Sequence, residues 1–214
     1  MRAIEKLIVF GAGGHAKVVI DTVERQGSYE IAGLLDDDIQ LKGSRFFGYE
    51  VLGTRAALPE LRSRNLHVAI VAIGDNRARA AVAAFLAQQG WRFATAIHPG
   101  ASIGRGAEIG PGSVVMAGCV VNADAHLGAH AIINTGATID HDCQIADSVH
   151  IAPGCHLCGG VQVGQSSLLG AGTTVTPGIH IGSNVVVGAG SAVIHDVADE
   201  AKVSGVPART MEQE

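Results

Sequence analysis

The sequence predicts two successive folds, an α/β domain with a small parallel sheet over residues 1–97 and a solenoid of six-residue repeats over residues 98–214. Apolar strands alternate with helical segments in the first part, and aliphatic residues recur at every sixth position in the second. Of the 214 residues, 47% are hydrophobic, 4% are aromatic and 29 are glycine. A chain of this composition folds around a core of small and aliphatic side chains.

The first domain opens with an apolar strand at 7–10, a glycine-rich loop and a helix at 16–23. A second strand is predicted at 31–35, and a third at 68–73 runs into the Ala-rich helix 77–88. Strands that alternate with helices predict a parallel sheet. The length of the domain leaves room for three or four strands.

The loop after the first strand reads Gly11-Ala12-Gly13-Gly14-His15-Ala16, and Asp36 follows the second strand. This matches the G-x-G-x-x-A spacing of a Rossmann-like domain, in which N–H groups at a helix N-terminus hold a diphosphate. NAD is therefore an alternative ligand, although three or four strands make only half a dinucleotide fold, and the same geometry can hold a nucleotide-linked sugar. The predicted contacts are Gly13, Gly14 and His15 for the diphosphate, Asp36 or Asp37 for the base or ribose, and Gly74 and Asn76 to complete the pocket.

The second domain keeps one aliphatic register through sixteen hexapeptides, while the residue two places earlier is nearly always small. Three hexapeptides form a coil of three flat faces, so the pattern predicts five stacked coils with the aliphatic column inside. Glycines that directly follow this column, such as Gly110 and Gly128, are predicted to serve the turns. The column is Ile103, Ile109, Val115, Val121, Leu127, Ile133, Ile139, Ile145, Ile151, Leu157, Val163, Leu169, Val175, Ile181, Val187 and Val193.

His141 is the predicted general base among ten histidines. It faces outward from the coil between Asp140 and Asp142, either of which can orient the imidazole or stabilise its protonated form. One coil earlier and one coil later, the same position holds Ala123 and Gly159, which leaves space beside the ring.

His150 lies nine residues after His141, which is half a coil. The two side chains therefore lie on different faces of one chain, and both serve one active site only if two subunits meet there.

The pair Cys155 and Cys158 has C-x-x-C spacing, which is also found in metal and redox sites. Cys155 falls in the small inward column and Cys158 does not, so the two are predicted to point in different directions. A zinc site made by histidines of several subunits, with His126 and His130 as candidates, is a weaker alternative.

The net charge of -5 gives no basic surface for a nucleic acid, and no cluster of Lys and Arg indicates a membrane surface. No apolar run reaches 18 residues, and the segment 1–6 lacks the apolar core of a signal peptide. The sequence therefore predicts small-molecule partners and a cytoplasmic location.

Four segments give the chain a more specific resemblance. They are Gly11–His15, Asn134–Cys143, His150–Gly154 and Gly205–Arg209. Together they resemble the hexapeptide-repeat sugar acetyltransferases with a left-handed parallel β-helix, in the subfamily of the sialic acid O-acetyltransferases and the bacillosamine- and perosamine-type N-acetyltransferases.

The resemblance implies that acetyl-CoA is the co-substrate, that no metal is needed, and that a homotrimer places active sites between subunits. It also implies that the N-terminal domain binds the nucleotide of the sugar. In the family, the residue that matches His150 contacts the thioester end of acetyl-CoA. Ala171 and Ala189 are expected by the same resemblance to line the pantetheine groove.

The implied reaction is N-acetylation of the 4-amino group of a nucleotide-linked 4-amino-4,6-dideoxy sugar, for O-antigen or another surface glycan. Overall resemblance favours GDP-perosamine, with a UDP-linked sugar next. His141 would take the proton, Asp142 or Asp140 would support the imidazolium, and Gly159 would hold the oxyanion. The alternatives are a sialic acid or other sugar O-acetyltransferase and, from another class, a non-catalytic scaffold or nucleotide-sugar sensor.

Overall fold

The computed structural model of the protein describes residues 4–211 and divides the chain into two compact units, one ending at Pro99 and the other beginning at Gly100. Residues 1–3 lie outside the described residues, and they form half of the segment 1–6 in which the sequence shows no apolar core of a signal peptide. No helix within 4–211 is long and apolar enough to cross a bilayer.

The first unit is an α/β sandwich with a six-stranded sheet in the order β3-β4-β2-β1-β5-β6. Strands β4, β2, β1, β5 and β6 run parallel, and β3 pairs antiparallel with β4. Its elements are β1 (Glu5–Phe10), α1 (Gly14–Gln26), β2 (Tyr29–Leu35), β3 (Arg45–Phe46), β4 (Tyr49–Gly53), α2 (Leu58–Ser63), β5 (Val68–Val71), α3 (Asn76–Gln88), β6 (Arg92–Phe93) and β7 (Ala96–Ile97), with 3-10 turns at Ile39–Leu41 and Arg55–Ala57.

The expectation of three or four strands was too low. Strands β3 and β6 have two residues each, which is too short for a periodic pattern to indicate them. The central strands are as predicted, and Leu7–Phe10 and Val68–Val71 are buried along their whole length. Such continuous burial is typical of a parallel sheet that is covered on both faces.

The parallel order brings the carboxyl ends of β1, β2 and β5 to one edge of the sheet. The chain leaves β1 toward β2 on one side and leaves β5 toward β6 on the other. Ligands of open α/β sheets bind at such a topological switch point. The loop after Phe10, the turn after Leu35 and the loop after Val71 all lie at this edge.

The second unit is a parallel β-helix whose strands stack in three sheets; all have two residues except β24 (Lys202–Ser204), which has three and pairs antiparallel with β25 (Arg209–Thr210). The strands are numbered β8 to β25 in chain order. Sheet one holds β10 (Val114–Val115), β13 (Ile132–Ile133), β16 (His150–Ile151), β19 (Leu168–Leu169), β22 (Val186–Val187), β24 (Lys202–Ser204) and β25 (Arg209–Thr210). Sheet two holds β8 (Ser102–Ile103), β11 (Val120–Val121), β14 (Thr138–Ile139), β17 (His156–Leu157), β20 (Thr174–Val175) and β23 (Ala192–Val193). Sheet three holds β9 (Glu108–Ile109), β12 (His126–Leu127), β15 (Gln144–Ile145), β18 (Gln162–Val163) and β21 (His180–Ile181).

The pairing confirms the eighteen-residue coil, because Thr138 pairs with His156 and His156 with Thr174. Fourteen of the sixteen aliphatic residues in the predicted column are buried. Ile109 is half-buried, and Ile103 is 38% exposed because β8 is the first strand of its sheet. Five regular coils form as predicted, and a sixth, irregular one continues through a bridge between Ile181 and Val197 to β24.

The glycines after the aliphatic column do not serve turns, as the sequence had suggested. A β-carbon at Gly110 would lie 2.5 Å from the carbonyl carbon of Gly128, so glycine is needed there because the next coil passes close by. The left-handed turn positions fall two residues further on, as at Gly112 with φ of 77°.

Candidate active site

The corner that follows β14 carries the predicted base. The Nδ1 atom of His141 lies 2.7 Å from Oδ2 of Asp142, and both side chains are largely exposed. Asp142 has φ of 60°, a left-handed conformation that aspartate tolerates better than most residues. Asp142 is thus the carboxylate that contacts the imidazole, which the sequence had left open between two residues.

Asp140 has a different part in this corner. Its Oδ1 accepts the backbone N–H of His141 at 2.9 Å and the side-chain amide of Asn122 at 2.9 Å. Asn122 precedes Asp140 by one coil and was not predicted from the sequence as part of the site. The repeat itself was the available signal, because residues eighteen apart stack directly on one another.

The charges of the corner favour a protonated imidazole. The hydrogen bond to Asp142 raises the pKa of His141 above its ordinary 6.5, and the nearby charge of Asp140 adds to this. The His141 N–H and the Asn122 amide hold the pKa of Asp140 below its usual value. Asp140 therefore stays ionised beside the ring.

Gly159 lies against the imidazole of His141. The missing side chain at this position makes room for the imidazole itself, so it does not leave the open space beside the ring that the sequence predicted. A β-carbon at Gly159 would lie 2.6 Å from both Cε1 and Nε2 of His141. The next N–H, of Gly160, donates to the carbonyl oxygen of His141 at 2.9 Å. Within residues 4–211 the N–H of Gly159 makes no backbone hydrogen bond.

His150 lies in β16 on sheet one, away from the corner of His141, as the half-coil spacing predicted. It is half-buried, and its Nε2 lies 3.2 Å from Nδ2 of Asn134. Ala171 and Ala189 are exposed at the corners after β19 and β22. One chain therefore brings His141, Asp142 and Gly159 together, but not His150, Ala171 or Ala189.

In the first unit, the Gly11–His15 loop leads directly into α1. Gly13 occupies the N-cap position and has no side chain that could cap the first turn of the helix. The N–H of Ala12 donates to Oδ2 of Asp36 at 2.8 Å. The carboxylate of Asp36 therefore fixes the loop from the end of β2.

Asp37 is paired with Arg55. Nε of Arg55 donates to Oδ1 of Asp37 at 3.0 Å, and Nη2 donates to Oδ2. The guanidinium also lies 4.8 Å from the ring centre of Phe85 and 6.0 Å from that of Phe10. The Arg55 bonds hold the pKa of Asp37 below its ordinary value, although partial burial opposes this.

The loop after β5 contains Gly74 and leads to Asn76, the first residue of α3, and it is braced by Arg79, which was not predicted from the sequence. Arg79 is 1% exposed and donates to the carbonyls of Ile73 and Gly74 and to Oδ1 of Asn76. Burial lowers the pKa of Arg79 to about 10, so it stays charged at neutral pH. Asn76 is buried, so its predicted ligand contact remains a prediction.

The cysteines pack as expected. Cys119, Cys143 and Cys155 are buried with their thiols directed at backbone carbonyls, and Cys158 is half-buried. Among the described residues, no three His, Cys, Asp or Glu side chains cluster as metal ligands would.

Two protein-family models match the chain. The PglD N-terminal domain matches residues 6–86, and the bacterial transferase hexapeptide model, which has six repeats, matches residues 142–177. The fold, the loop and the two matches define a hexapeptide-repeat transferase with a PglD-type N-terminal domain.

Solved structures cover nearly the whole chain. An asparagine-for-histidine mutant of the perosamine N-acetyltransferase from Caulobacter crescentus, in complex with CoA and GDP-perosamine, is 40% identical over 99% of both chains with a TM-score of 0.93. The acetyltransferase domain of PglB from Neisseria gonorrhoeae FA1090, in complex with acetyl coenzyme A, is 39% identical over 98% of this chain and all of that one, with a TM-score of 0.90.

A curated relative, the UDP-N-acetylbacillosamine N-acetyltransferase of Bacillus subtilis (strain 168), is 39% identical over 115 residues. That match spans 53% of this chain and about half of the relative, 52%. The chain belongs to the family of hexapeptide-repeat amino-sugar N-acetyltransferases.

Proposed function

We propose that the protein transfers the acetyl group of acetyl-CoA to the 4-amino group of a nucleotide-linked 4-amino-4,6-dideoxy sugar, with GDP-perosamine preferred and a UDP-linked sugar next. The observation that carries the proposal is the exposed His141, held by Asp142 on one side and packed on Gly159 on the other. A base, its orienting acid and a backbone donor are the groups that direct acyl transfer needs.

In the proposed reaction the neutral amine attacks the thioester carbonyl and forms a tetrahedral oxyanion. The Gly159 N–H donates to that oxyanion. Nε2 of His141 takes the proton released by the amine, while Asp142 accepts the Nδ1–H and stabilises the imidazolium. The intermediate then collapses to the amide, and the CoA thiolate leaves and takes up a proton. An amine is nucleophilic enough that no covalent enzyme intermediate is needed.

The N-terminal unit would hold the nucleotide of the acceptor. The N–H groups of Gly13, Gly14 and His15 at the start of α1 suit a diphosphate. The turn at Asp36 and Asp37 suits the nucleoside, and Gly74 and Asn76 complete the same edge of the sheet. NAD has the same diphosphate, and a binding measurement distinguishes it from the sugar nucleotide.

The proposed assembly is a homotrimer in which His150, Ala171 and Ala189 of one subunit face His141 of the next. The separation of His141 and His150 within one chain supports it, because only a second chain brings these residues to one site. The proposed setting is the cytoplasm, where such a product feeds surface glycan or O-antigen synthesis.

The relatives support the same chemistry. The C. crescentus enzyme is a perosamine N-acetyltransferase complexed with CoA and GDP-perosamine, and the N. gonorrhoeae domain holds acetyl coenzyme A. Identity of 40% along 99% of the chain favours the same reaction class over a non-catalytic scaffold.

Characterisation of the product tests the proposal. The protein is incubated with acetyl-CoA and a GDP-linked 4-amino-4,6-dideoxy sugar, and the acetylated product is treated with alkaline hydroxylamine, which cleaves esters and leaves amides intact. We expect a product that survives hydroxylamine. A product that loses its acetyl group would show O-acetylation, and acetyl-CoA binding without any product would favour the scaffold or sensor.

A further inference from the structure

We propose that Asn122 is a positioning residue of the acetyl transfer, which holds the Asp140 carboxylate on the backbone of His141 and so leaves the imidazole to Asp142. The inference rests on the proposed function, because it concerns the base of that reaction. Asn122 acts through Asp140, whereas His141 is the residue that takes the proton.

Two carboxylates adjoin His141 in the chain, and one of them contacts its ring. Oδ2 of Asp142 lies 2.7 Å from Nδ1, whereas Oδ1 of Asp140 accepts the backbone N–H of His141 at 2.9 Å. An aspartate side chain rotates about two single bonds, so its carboxylate has several positions open to it. The Asp140 carboxylate therefore needs a restraint if it is to stay on the backbone.

The side-chain amide of Asn122 supplies that restraint. Its Nδ2 donates to Oδ1 of Asp140 at 2.9 Å, the same oxygen that accepts the His141 N–H. One oxygen is thus held from two directions, by the next residue of its own coil and by the coil before. A carboxylate oxygen has two lone pairs, so both bonds form together.

Backbone hydrogen bonds on both sides of this contact fix where the amide lies. The N–H of Asn122 donates to the carbonyl oxygen of Ile139 at 2.9 Å, and the N–H of Asp142 donates to that of Ala123 at 3.2 Å. The two coils are therefore joined just before and just after the Asn122–Asp140 bond. The stacking of the coils presents the amide to the carboxylate.

The same bond tempers the charge beside the ring. The negative charge of Asp140 raises the pKa of His141, and the Asn122 amide helps to hold the pKa of Asp140 below its usual value. A donor on the carboxylate offsets part of its charge. Loss of the amide would therefore let Asp140 act more strongly on the imidazolium.

The other charges at this corner are carboxylates. Asp142 lies on the same coil as His141, and Asp124 holds the position of Asp142 one coil earlier. One coil later, the positions of His141 and Asp142 are the uncharged Gly159 and Gly160. Asn122 is thus a neutral donor among acids, and it directs one of them without adding a charge.

Replacement of the amide by a side chain of the same branched shape tests the proposal. Asn122 is exposed, and leucine lacks its donor. We expect Asn122→Leu to lower kcat between about tenfold and a hundredfold with an unchanged KM for acetyl-CoA. The midpoint of the pH–rate profile should move to higher pH, opposite to the shift expected of Asp142→Asn. Asn122→Ala should behave in the same way.

A loss of turnover without a shift of the midpoint would show that Asn122 only supports the corner, and wild-type behaviour would show that it has no part in the reaction. Either result would overturn the proposal. The matched control is Thr138→Val, which breaks the 2.9 Å contact between Thr138 and His156, also eighteen residues apart. It should leave the midpoint unchanged.

The shift should also depend on Asp140. In Asp140→Asn the neighbouring side chain carries no charge, so adding Asn122→Leu should leave the midpoint where Asp140→Asn alone puts it. The full shift in the double variant would mean that Asn122 acts on His141 by another route, which contradicts the proposal.

Titration of His141 by nuclear magnetic resonance separates this inference from the proposed function. The Cε1–H signal of the ring, identified by its absence from His141→Asn, reports the pKa of His141 without any substrate. We expect a higher pKa in Asn122→Leu than in the wild type. An unchanged pKa would overturn the role of Asn122 even in an active acetyltransferase. A raised pKa in a protein that acetylates no amino sugar would support the Asn122 contact and refute the proposed function.

Discussion

Oδ2 of Asp142 lies 2.7 Å from Nδ1 of His141, and this contact decides which nitrogen of the ring acts as the base. With Nδ1 carrying the hydrogen that Asp142 accepts, Nε2 is left with a free lone pair. Nε2 is also the ring nitrogen nearest to the position that a β-carbon at Gly159 would take. The corner thus places a basic nitrogen against Gly159.

Replacement of His141 tests the base directly. We expect His141→Asn to lower kcat by about 10² to 10⁴, the usual contribution of a general base, without changing the Kd for acetyl-CoA. A steady-state assay of CoA release measures kcat, and calorimetric titration measures the Kd for acetyl-CoA. Full turnover at neutral pH would remove His141 from the mechanism.

The pH dependence of turnover tests the contact between His141 and Asp142. A general base must be deprotonated, and Asp142 raises the pKa of His141 above 6.5, so the rate should rise with pH and level off only above that value. In Asp142→Asn the largest cause of the raised pKa is lost, and the midpoint of the rise should move to lower pH while the plateau falls.

The Asp140→Asn variant is the comparison for the pH profile, because Asp140 contacts the His141 backbone rather than its ring. The substrate amine titrates identically with each enzyme, so a difference in midpoint belongs to the protein. A midpoint that shifts equally in both variants, or in neither, would contradict the assignment of Asp142.

Gly159→Ala is expected to displace the imidazole, because its β-carbon would lie 2.6 Å from Nε2. A misplacement of this size costs on the order of 10²-fold in turnover. The control is a double-mutant cycle, since an alanine at 159 should cost much less when His141→Ala has already removed the ring. Equal losses in both backgrounds would mean that Gly159 acts independently of His141.

Mixed oligomers test the intersubunit site. Chains with His141→Ala and chains with His150→Ala are each expected to be impaired alone, and co-refolding should restore part of the activity, because some sites then combine an intact residue from each chain. Activity of the mixture that stays at the average of the two variants would place each site within one chain, or leave His150 without a catalytic part.

Loss of the Asp36 carboxylate should weaken binding of the nucleotide sugar and leave binding of acetyl-CoA unchanged. Asp36→Ala removes the carboxylate that accepts the hydrogen bond of the Ala12 N–H and loosens the loop proposed to bind the diphosphate. A lost hydrogen bond to a charged group predicts a KM for the nucleotide sugar that is roughly tenfold to a hundredfold higher, with the KM for acetyl-CoA unchanged. Tight NAD binding that this substitution abolishes would instead support the dinucleotide alternative.

The solenoid was largely predictable from the sequence because each coil packs only on its neighbours and buries the same positions of its repeat. One six-residue register therefore predicts the strands, the buried column and the outward position of His141. The exposed Ile103 departs from the register because an end strand has no preceding coil to cover it. The Asn122–Asp140 bond was also encoded in the repeat and was overlooked.

Other features depended on contacts between segments that no local pattern joins. Arg55 lies 18 residues from Asp37, and its bond to Asp37 follows from how the turn after β4 approaches the end of β2. The need for glycine at Gly110 comes from the backbone of the following coil, and the choice of Asp142 over Asp140 comes from side-chain orientation within one tight corner. Spacing alone specifies neither.

Release of CoA thiol from acetyl-CoA, measured against a panel of GDP- and UDP-linked 4-amino-4,6-dideoxy sugars, tests the central claim most directly. The matched controls are the same sugar nucleotides with a hydroxyl at the 4-position. The account predicts rapid, saturable thiol release with a 4-amino acceptor, fastest with GDP-perosamine, and only background hydrolysis with the hydroxyl controls. Background release with every amino sugar, from a protein that still binds acetyl-CoA, would contradict it.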